Sequence, residues 1–438
     1  MASVRSNSVL VAALVALAGG CSTQSSHTPA WTLRNGTPAP AAPESAARSD
    51  VAQPGEPTEF AQSPASEDSD AGNPDVKEAD PRRRGMASFQ ATGELPPALN
   101  VSRATFSDEG ADFDPAPSRD GSRLFFASTS HREASDIYVK RRDSRVTTRL
   151  TNDPADDAMP CVSPDGQHVA FASNRAGNWD IYAMSSDGGK AVQITDDPGD
   201  DLHPSWSPDG RQLIFSHRGE RDGRWEMWVT QVSNPSVSHF VGEGLFPSWC
   251  PVAGGESGPD RILFQLPRER GRRNFTLWTL DLIDGKAGNI TEIASSATSA
   301  LIAPAWSPDG KWVVFAEVPA PAPGERPETR RVRESSLWMV STTGDARVRL
   351  TGNEATAMAP AFAGPSQLYF VSTRGGVENS WSMDISQAIA SASATIGASP
   401  ALASGSAQGA GQSSQGHSAD NTPVAAAAEG SEAPGTSR

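Results

Sequence analysis

Acidic side chains recur in short clusters through the first half of the repetitive region: Asp108, Glu109, Asp112 and Asp114, then Asp153, Asp156 and Asp157, then Asp196, Asp197, Asp200 and Asp201. Carboxylates at this density can hold a hard cation, attract a basic partner, or work as acid–base groups. Asp157 and Asp201, with backbone carbonyls near His203, are the set that would suit Ca²⁺. Arginines cluster further on: Arg218, Arg221 and Arg224, then Arg268, Arg270, Arg272 and Arg273, then Arg326, Arg330, Arg331 and Arg333. Other chemistry has little footing. The seven His are scattered, with no His-x-x-x-His or Glu-x-x-His pair. No Gly-x-Ser-x-Gly string opens a helix, and Gly405-Ser-Ala-Gln-Gly409 lies in low-complexity sequence.

The elements that must carry these clusters are set by a repeat. A Pro followed by a short buried segment recurs as Pro115-Ala-Pro-Ser, Pro160-Cys-Val-Ser, Pro204-Ser-Trp-Ser, Pro247-Ser-Trp-Cys, Pro304-Ala-Trp-Ser and Pro360-Ala-Phe-Ala. Subtracting successive Pro numbers gives steps of 45, 44, 43, 57 and 56 residues. Four of the six continue into Ser-Pro-Asp-Gly or a near copy, at Ser118, Ser163, Ser207 and Ser307. That is turn chemistry: Pro presets φ, Asp bonds locally, and Gly takes the positive-φ position. A β-branched and aromatic segment follows each turn, as in Val169-Ala-Phe-Ala172 and Val313-Val-Phe-Ala316, and a further strand carries Tyr or Trp.

Four short strands per unit of about 45 residues is the arithmetic of a propeller blade, so six units predict an all-β, six-bladed β-propeller over residues 96–385. The longer steps are read as loop insertions. Val101 to Phe106 matches a fourth strand with no blade of its own, and it is expected to complete the sixth blade and close the ring. Trp206, Trp249 and Trp306, like Trp228, Trp278 and Trp338, recur at fixed repeat positions and are read as core.

In such a ring the loops entering each blade and those joining its second and third strands share one face. Asp112, Asp157 and Asp201 each stand three residues before a blade Pro, where later blades have Gly244, Leu301 and Ala357. The channel mouth is therefore expected to be acidic over blades one to three and apolar over four to six. A partner is expected to meet Asp112, Asp156, Asp157, Asp200, Asp201 and His203 there, with Arg268, Arg272 and Arg330 of opposite sign nearby.

Residues 1–20 read as an export signal: Arg5, the apolar run Val9 to Leu17, then small residues before Cys21. The Ala18-Gly-Gly-Cys21 string resembles a lipoprotein cleavage site, which implies acylation of Cys21, a membrane-anchored, periplasm-facing protein, and with Ser22 next, sorting to the outer membrane. Residues 21–95 are rich in Pro, Ala, Ser and acids and read as a disordered tether, and 386–438 as a low-complexity Ala/Ser/Gly tail. A net charge of -15 argues against nucleic-acid binding. Three Cys cannot form a disulfide framework, and Cys161 and Cys250 fall in non-adjacent blades, so free buried thiols are expected.

The string Phe171-Ala-Ser-Asn-Arg-Ala-Gly-Asn-Trp-Asp-Ile-Tyr182, followed by Ser186-Asp-Gly-Gly189 and Gln193-Ile-Thr195, resembles the WD-like repeats of TolB-type propellers, over roughly residues 101–385. The resemblance implies the propeller fold and a periplasmic binding role, since TolB binds the peptidoglycan-associated lipoprotein. It departs from TolB where a tether replaces the α/β domain ahead of the propeller. The same repeats precede the hydrolase domain of prolyl-oligopeptidase-type peptidases, but only 53 residues follow Ile385. The expected function is a non-catalytic, monomeric envelope scaffold that engages a protein or peptide and needs no cofactor beyond the Ca²⁺ considered above. The alternative is a lyase or hydrolase acting on glycans or peptides in the channel.

Overall fold

A computed structural model describes residues 100–219, 223–254, 258–267, 274–320 and 334–398. The chain divides into two units, Met1–Ile396 and Gly397–Arg438, and of the second only Gly397 and Ala398 are described. The expectations for residues 1–95, the acylated Cys21, the arginines Arg268, Arg272 and Arg330, and the tail beyond Ala398 lie outside the described residues.

Six four-stranded antiparallel sheets follow one another along the chain. Their innermost strands are Asp112–Pro117, Asp157–Val162, Asp201–Trp206, Leu245–Trp249, Ser299–Trp306 and Met358–Phe362. Each of these strands contacts the next, and the sixth contacts the first, so the sheets form a closed ring. The last blade borrows its outer strand: Val101–Arg103 pairs with Asn379–Asp384 in the register Val101↔Met383 and Arg103↔Trp381. The expected closure is present, with a shorter strand than the six residues read from the sequence. Ala104 N–H and Thr105 N–H continue it onto the Ser380 carbonyl, and the buried Thr105 hydroxyl donates to Asn379 Oδ1 at 3.2 Å.

Local chemistry explains the repetition. In the second blade Ser163 Oγ donates to Asp165 Oδ1 at 2.5 Å and accepts the His168 N–H at 2.9 Å, while Gly166 takes φ 71°. The turn thus folds its Asp back onto Ser and sends the chain into the next strand. Those second strands each place a Phe out of water (Phe125, Phe171, Phe215, Phe264, Phe315 and Phe370), packed against the neighbouring blade. Burying an aromatic of this size contributes about 2–3 kcal/mol relative to exposure. Cys161 and Cys250 are free thiols, Cys250 fully buried.

The chain does not leave the fold at residue 385 as expected. Ser386–Ala398 is an α-helix whose Ala388 and Ala392 are buried against the core of the last blades beside Ile385. Small residues four apart make a flat stripe that approaches the sheet closely.

Candidate functional site

Every innermost strand carries the same irregularity. The pairing register breaks at one place in each blade, and the residue there sits in the left-handed region: Asp114 (φ 50°), Met159 (55°), His203 (55°), Phe246 (51°), Ala303 (49°) and Ala359 (47°). A non-glycine residue there is disfavoured by roughly 1 kcal/mol. Six such bulges at one repeat position mean that the ring imposes them. Each of the six residues is half-buried and each is followed by a buried Pro, so the six side chains form a collar on the channel. Adjacent members touch. Met159 N–H donates to Asp114 Oδ2 at 3.2 Å, and the His203 and Phe246 rings stack with centroids 3.5 Å apart. Ser216 Oγ and Gln265 Oε1 accept the N–H groups of Phe246 and Ala303.

The collar is polar on one side and apolar on the other, and its two ionisable groups are held neutral near pH 6. Burial raises the Asp114 carboxyl to about 7, helped by the charge of Glu378 and opposed by the Met159 N–H. Burial pushes the His203 imidazole down to about 3, so His203 is neutral at any physiological pH.

The expected acidic mouth is corrected by the structure. Asp112, Asp157 and Asp201 begin the innermost strands, yet all three are buried and already partnered. Asp112 accepts from Ser128 Oγ at 2.6 Å and Ser107 Oγ at 2.8 Å. Arg175 donates to Asp157 at 2.7 Å, and His217 Nδ1 meets Asp201 at 2.8 Å. These carboxylates fasten loops to strands and cannot meet a partner in solvent. Asp156 accepts the Ser135 N–H and Asp200 the Trp179 N–H, so both half-buried groups shape the loops that enter their blades. Asp108 and Glu109 are exposed, and the Asp197 side chain is 44% exposed. Of the anticipated partner-facing residues, only His203 belongs to the collar.

Asp157 and Asp201 do not share a site either. Each is tied to its own basic partner, and the described residues that approach a common point are Asp197, Asp201 and His217. Burial lifts Asp201 to about 6 against the pull of His217, and burial with the charges of Asp201 and Asp197 lifts Asp180 to about 7. The hydrogen bond that His217 donates to the Asp201 carboxylate raises the His217 imidazole. Met159, His203, Phe246, Ala303 and Ala359 hold matching places in the sequence repeat; what sequence reasoning missed is that Asp114 is the sixth member. The signal available was their common place, one residue before each blade Pro.

The closed ring and its collar define a six-bladed β-propeller. Residues 100–253 match the TolB β-propeller domain family, so the first part of the ring is similar to TolB propellers. No curated protein matches the chain. Among solved structures, TolB from Acinetobacter baumannii is 21% identical with a TM-score of 0.47, over 58% of this chain and 58% of that one. The chain therefore spans less than two thirds of that protein's length. Oligogalacturonate lyase from Vibrio parahaemolyticus is 13% identical with a TM-score of 0.46, over 68% of this chain and 100% of that one. The β-propeller domain of the trilobed protease from Pyrococcus furiosus is 13% identical with a TM-score of 0.41, over 64% and 82%.

Proposed function

We propose that this propeller is a non-catalytic binding scaffold of the bacterial envelope that takes a segment of a protein or peptide partner at its channel collar. The observation that carries this reading is the collar itself. The six backbone bulges that the ring imposes present one half-buried side chain each, and these side chains differ from blade to blade in chemistry. Met159 and Phe246 offer apolar contact, while Asp114 and His203 offer fixed polar anchors, the mixture that a peptide side chain and its backbone require. Such a scaffold works as a monomer and needs no cofactor.

The location completes the proposal. The Ala18-Gly-Gly-Cys21 string would place an acyl anchor at Cys21, Ser22 favours the outer membrane, and residues 22–95 would tether the ring in the periplasm. A photo-crosslinking residue at Met159, compared with one at the exposed Val192 on the second blade's outermost strand, tests the collar in intact envelopes. Capture of a discrete partner from Met159 alone, reduced at least tenfold by His203→Ala with Phe246→Ala, is expected. Equal capture from both positions would refute collar binding.

A second reading rests on Asp114. A carboxyl raised to about 7 and aimed at a channel is suited to general acid–base work, as in a lyase or hydrolase acting on glycans or peptides. Turnover of an oligosaccharide or peptide by the wild type and its loss in Asp114→Asn would favour that reading over the scaffold.

A further inference from the structure

The junction between blades two and three repeats the junction between blades one and two, with Asp197 and Asp201 standing 44 residues after Asp153 and Asp157. Asp180 likewise stands 44 residues after Asp136, and Gln193 after Arg149. The two junctions differ in how their acids are neutralised. At the first, Asp136 carries Arg132 at 2.5 Å and Arg149 at 2.6 Å, and Arg175 lies between Asp157 at 2.7 Å and Asp153 at 3.8 Å. Three carboxylates there meet three guanidinium groups. At the second, Asp180 accepts from the neutral amides of Asn178 at 3.3 Å and Gln193 at 3.2 Å. Asp197 and Asp201 converge on one imidazole nitrogen, His217 Nδ1, at 3.3 and 2.8 Å. Among the described residues no Lys or Arg pairs with Asp180, Asp197 or Asp201.

Three further observations point to a ligand. Asp201 is fully buried, yet its Oδ2 makes no hydrogen bond of good geometry, the neutral Thr195 hydroxyl being the only side chain besides His217, among the described residues, that lowers the Asp201 carboxyl. Asp157 Oδ2 is also without one, but there the Arg175 guanidinium supplies the charge. The ligand atoms of Asp197, Asp201 and His217 all lie within 4.8 Å of one another, close enough to share one coordination sphere. The imidazole is also held in place: its ring lies edge-on to Trp228 at 5.8 Å, and a Cβ at position 199 would come within 2.4 Å of His217 Cε1, so Gly199 lets the entering loop close over it. An imidazole with two carboxylates suits a borderline ion better than Ca²⁺ or Mg²⁺, which favour oxygen alone.

We propose that Asp197, Asp201 and His217 form a divalent transition-metal site that takes Zn²⁺ and supplies, between blades two and three, the positive charge that arginines supply between blades one and two. Binding replaces the Nδ1 proton of His217 with the metal. The exposed side of Asp197 leaves a fourth position to water. The site ties the loop entering blade three to that blade's second strand, and none of its three ligands is a collar residue, although Asp201 begins the strand that carries His203.

The test uses the full chain, stripped with a chelator and titrated with Zn²⁺ alone, with thermal unfolding as readout. Co²⁺ serves as a spectroscopic substitute. The expected result is a melting temperature that rises and saturates at one ion per chain, together with visible Co²⁺ absorption lacking the near-ultraviolet bands of thiolate ligation. Asp197→Ala and His217→Gln should each abolish both signals. If His217→Gln does not fold, Asp197→Ala decides, because Asp197 is half exposed and its removal leaves the Asp201–His217 pair in place. Failure of Zn²⁺ to shift the wild-type melt, or a full shift in Asp197→Ala, overturns the proposal.

Discussion

Thr105→Val tests the closure of the ring with a single hydroxyl. Thr105 is 1% exposed. Its Oγ1 donates to Asn379 Oδ1 at 3.2 Å and accepts the Ser380 N–H at 3.0 Å. Valine keeps the side-chain shape and removes both bonds. Asn379 Oδ1 still accepts the Ser107 N–H at 3.0 Å, so its loss is partial. The Ser380 N–H is left buried without that acceptor. An unsatisfied buried donor costs about 1–3 kcal/mol and a lost neutral hydrogen bond about 1 kcal/mol, giving a destabilisation of about 2–4 kcal/mol. In a domain of this size each kcal/mol moves the melting temperature by about 2–4 °C, so the drop should be roughly 4–16 °C. Circular dichroism of the full chain at neutral pH measures it, with Thr105→Ser as the control that keeps the hydroxyl. Deletion of residues 101–106 should cost more, because it also uncovers the edge of Asn379–Asp384. A Thr105→Val melt that coincides with wild type refutes the closure argument. A Thr105→Ser variant as damaged as Thr105→Val refutes its assignment to the hydroxyl.

The Asp114 carboxyl is held at about 7, above its unfolded value of 3.8, so the folded state binds the proton more tightly and stability falls as pH rises from about 4 to 7. Three pKa units correspond to at most about 4 kcal/mol, reduced by water reaching the channel, and Asp114→Asn should flatten that slope in urea denaturation between about pH 4 and 7, matching wild type only at the acid end. His203 works in the other direction: its proton is bound more weakly in the folded state, so stability falls as pH drops below about 6.5, a loss that His203→Gln should remove. The indole N–H of Trp306 donates to the Ser248 carbonyl at 2.9 Å, whereas that of Trp249 has no acceptor among the described residues. Trp306→Phe should therefore lose about 1 kcal/mol more than Trp249→Phe in chemical denaturation, and equal losses would count against the bond.

The architecture was legible because it is written in local chemistry. Ser163-Pro-Asp-Gly166 makes a turn from its own atoms, and alternation around Phe171 marks a strand whatever lies beyond it. The closing strand was legible from repeat phase alone. The fate of the acids was not. Asp157 and Asp201 look like loop carboxylates, and their burial depends on Arg175 and His217, 18 and 16 residues further on and brought across a hairpin. The helix Ser386–Ala398 was hidden because a stripe of Ala and Ser has the composition of a linker, and only a surface to pack on makes it a fold element. The collar was hidden because positive φ at Met159 or Phe246 is imposed by ring geometry and leaves no mark in residue type.

Joining Val101–Arg103 to Asn379–Asp384 also sets the order in which the molecule can be assembled. The strand that emerges first during synthesis waits for the partner that emerges last, about 280 positions later, and meanwhile five complete sheets can form between them. Any chain stopped before Asn379 has a first strand with nothing to pair and a terminal sheet with a bare flank, a species prone to self-association. Quality control thus has one checkpoint to read: whether the first and last strands of the ring have met.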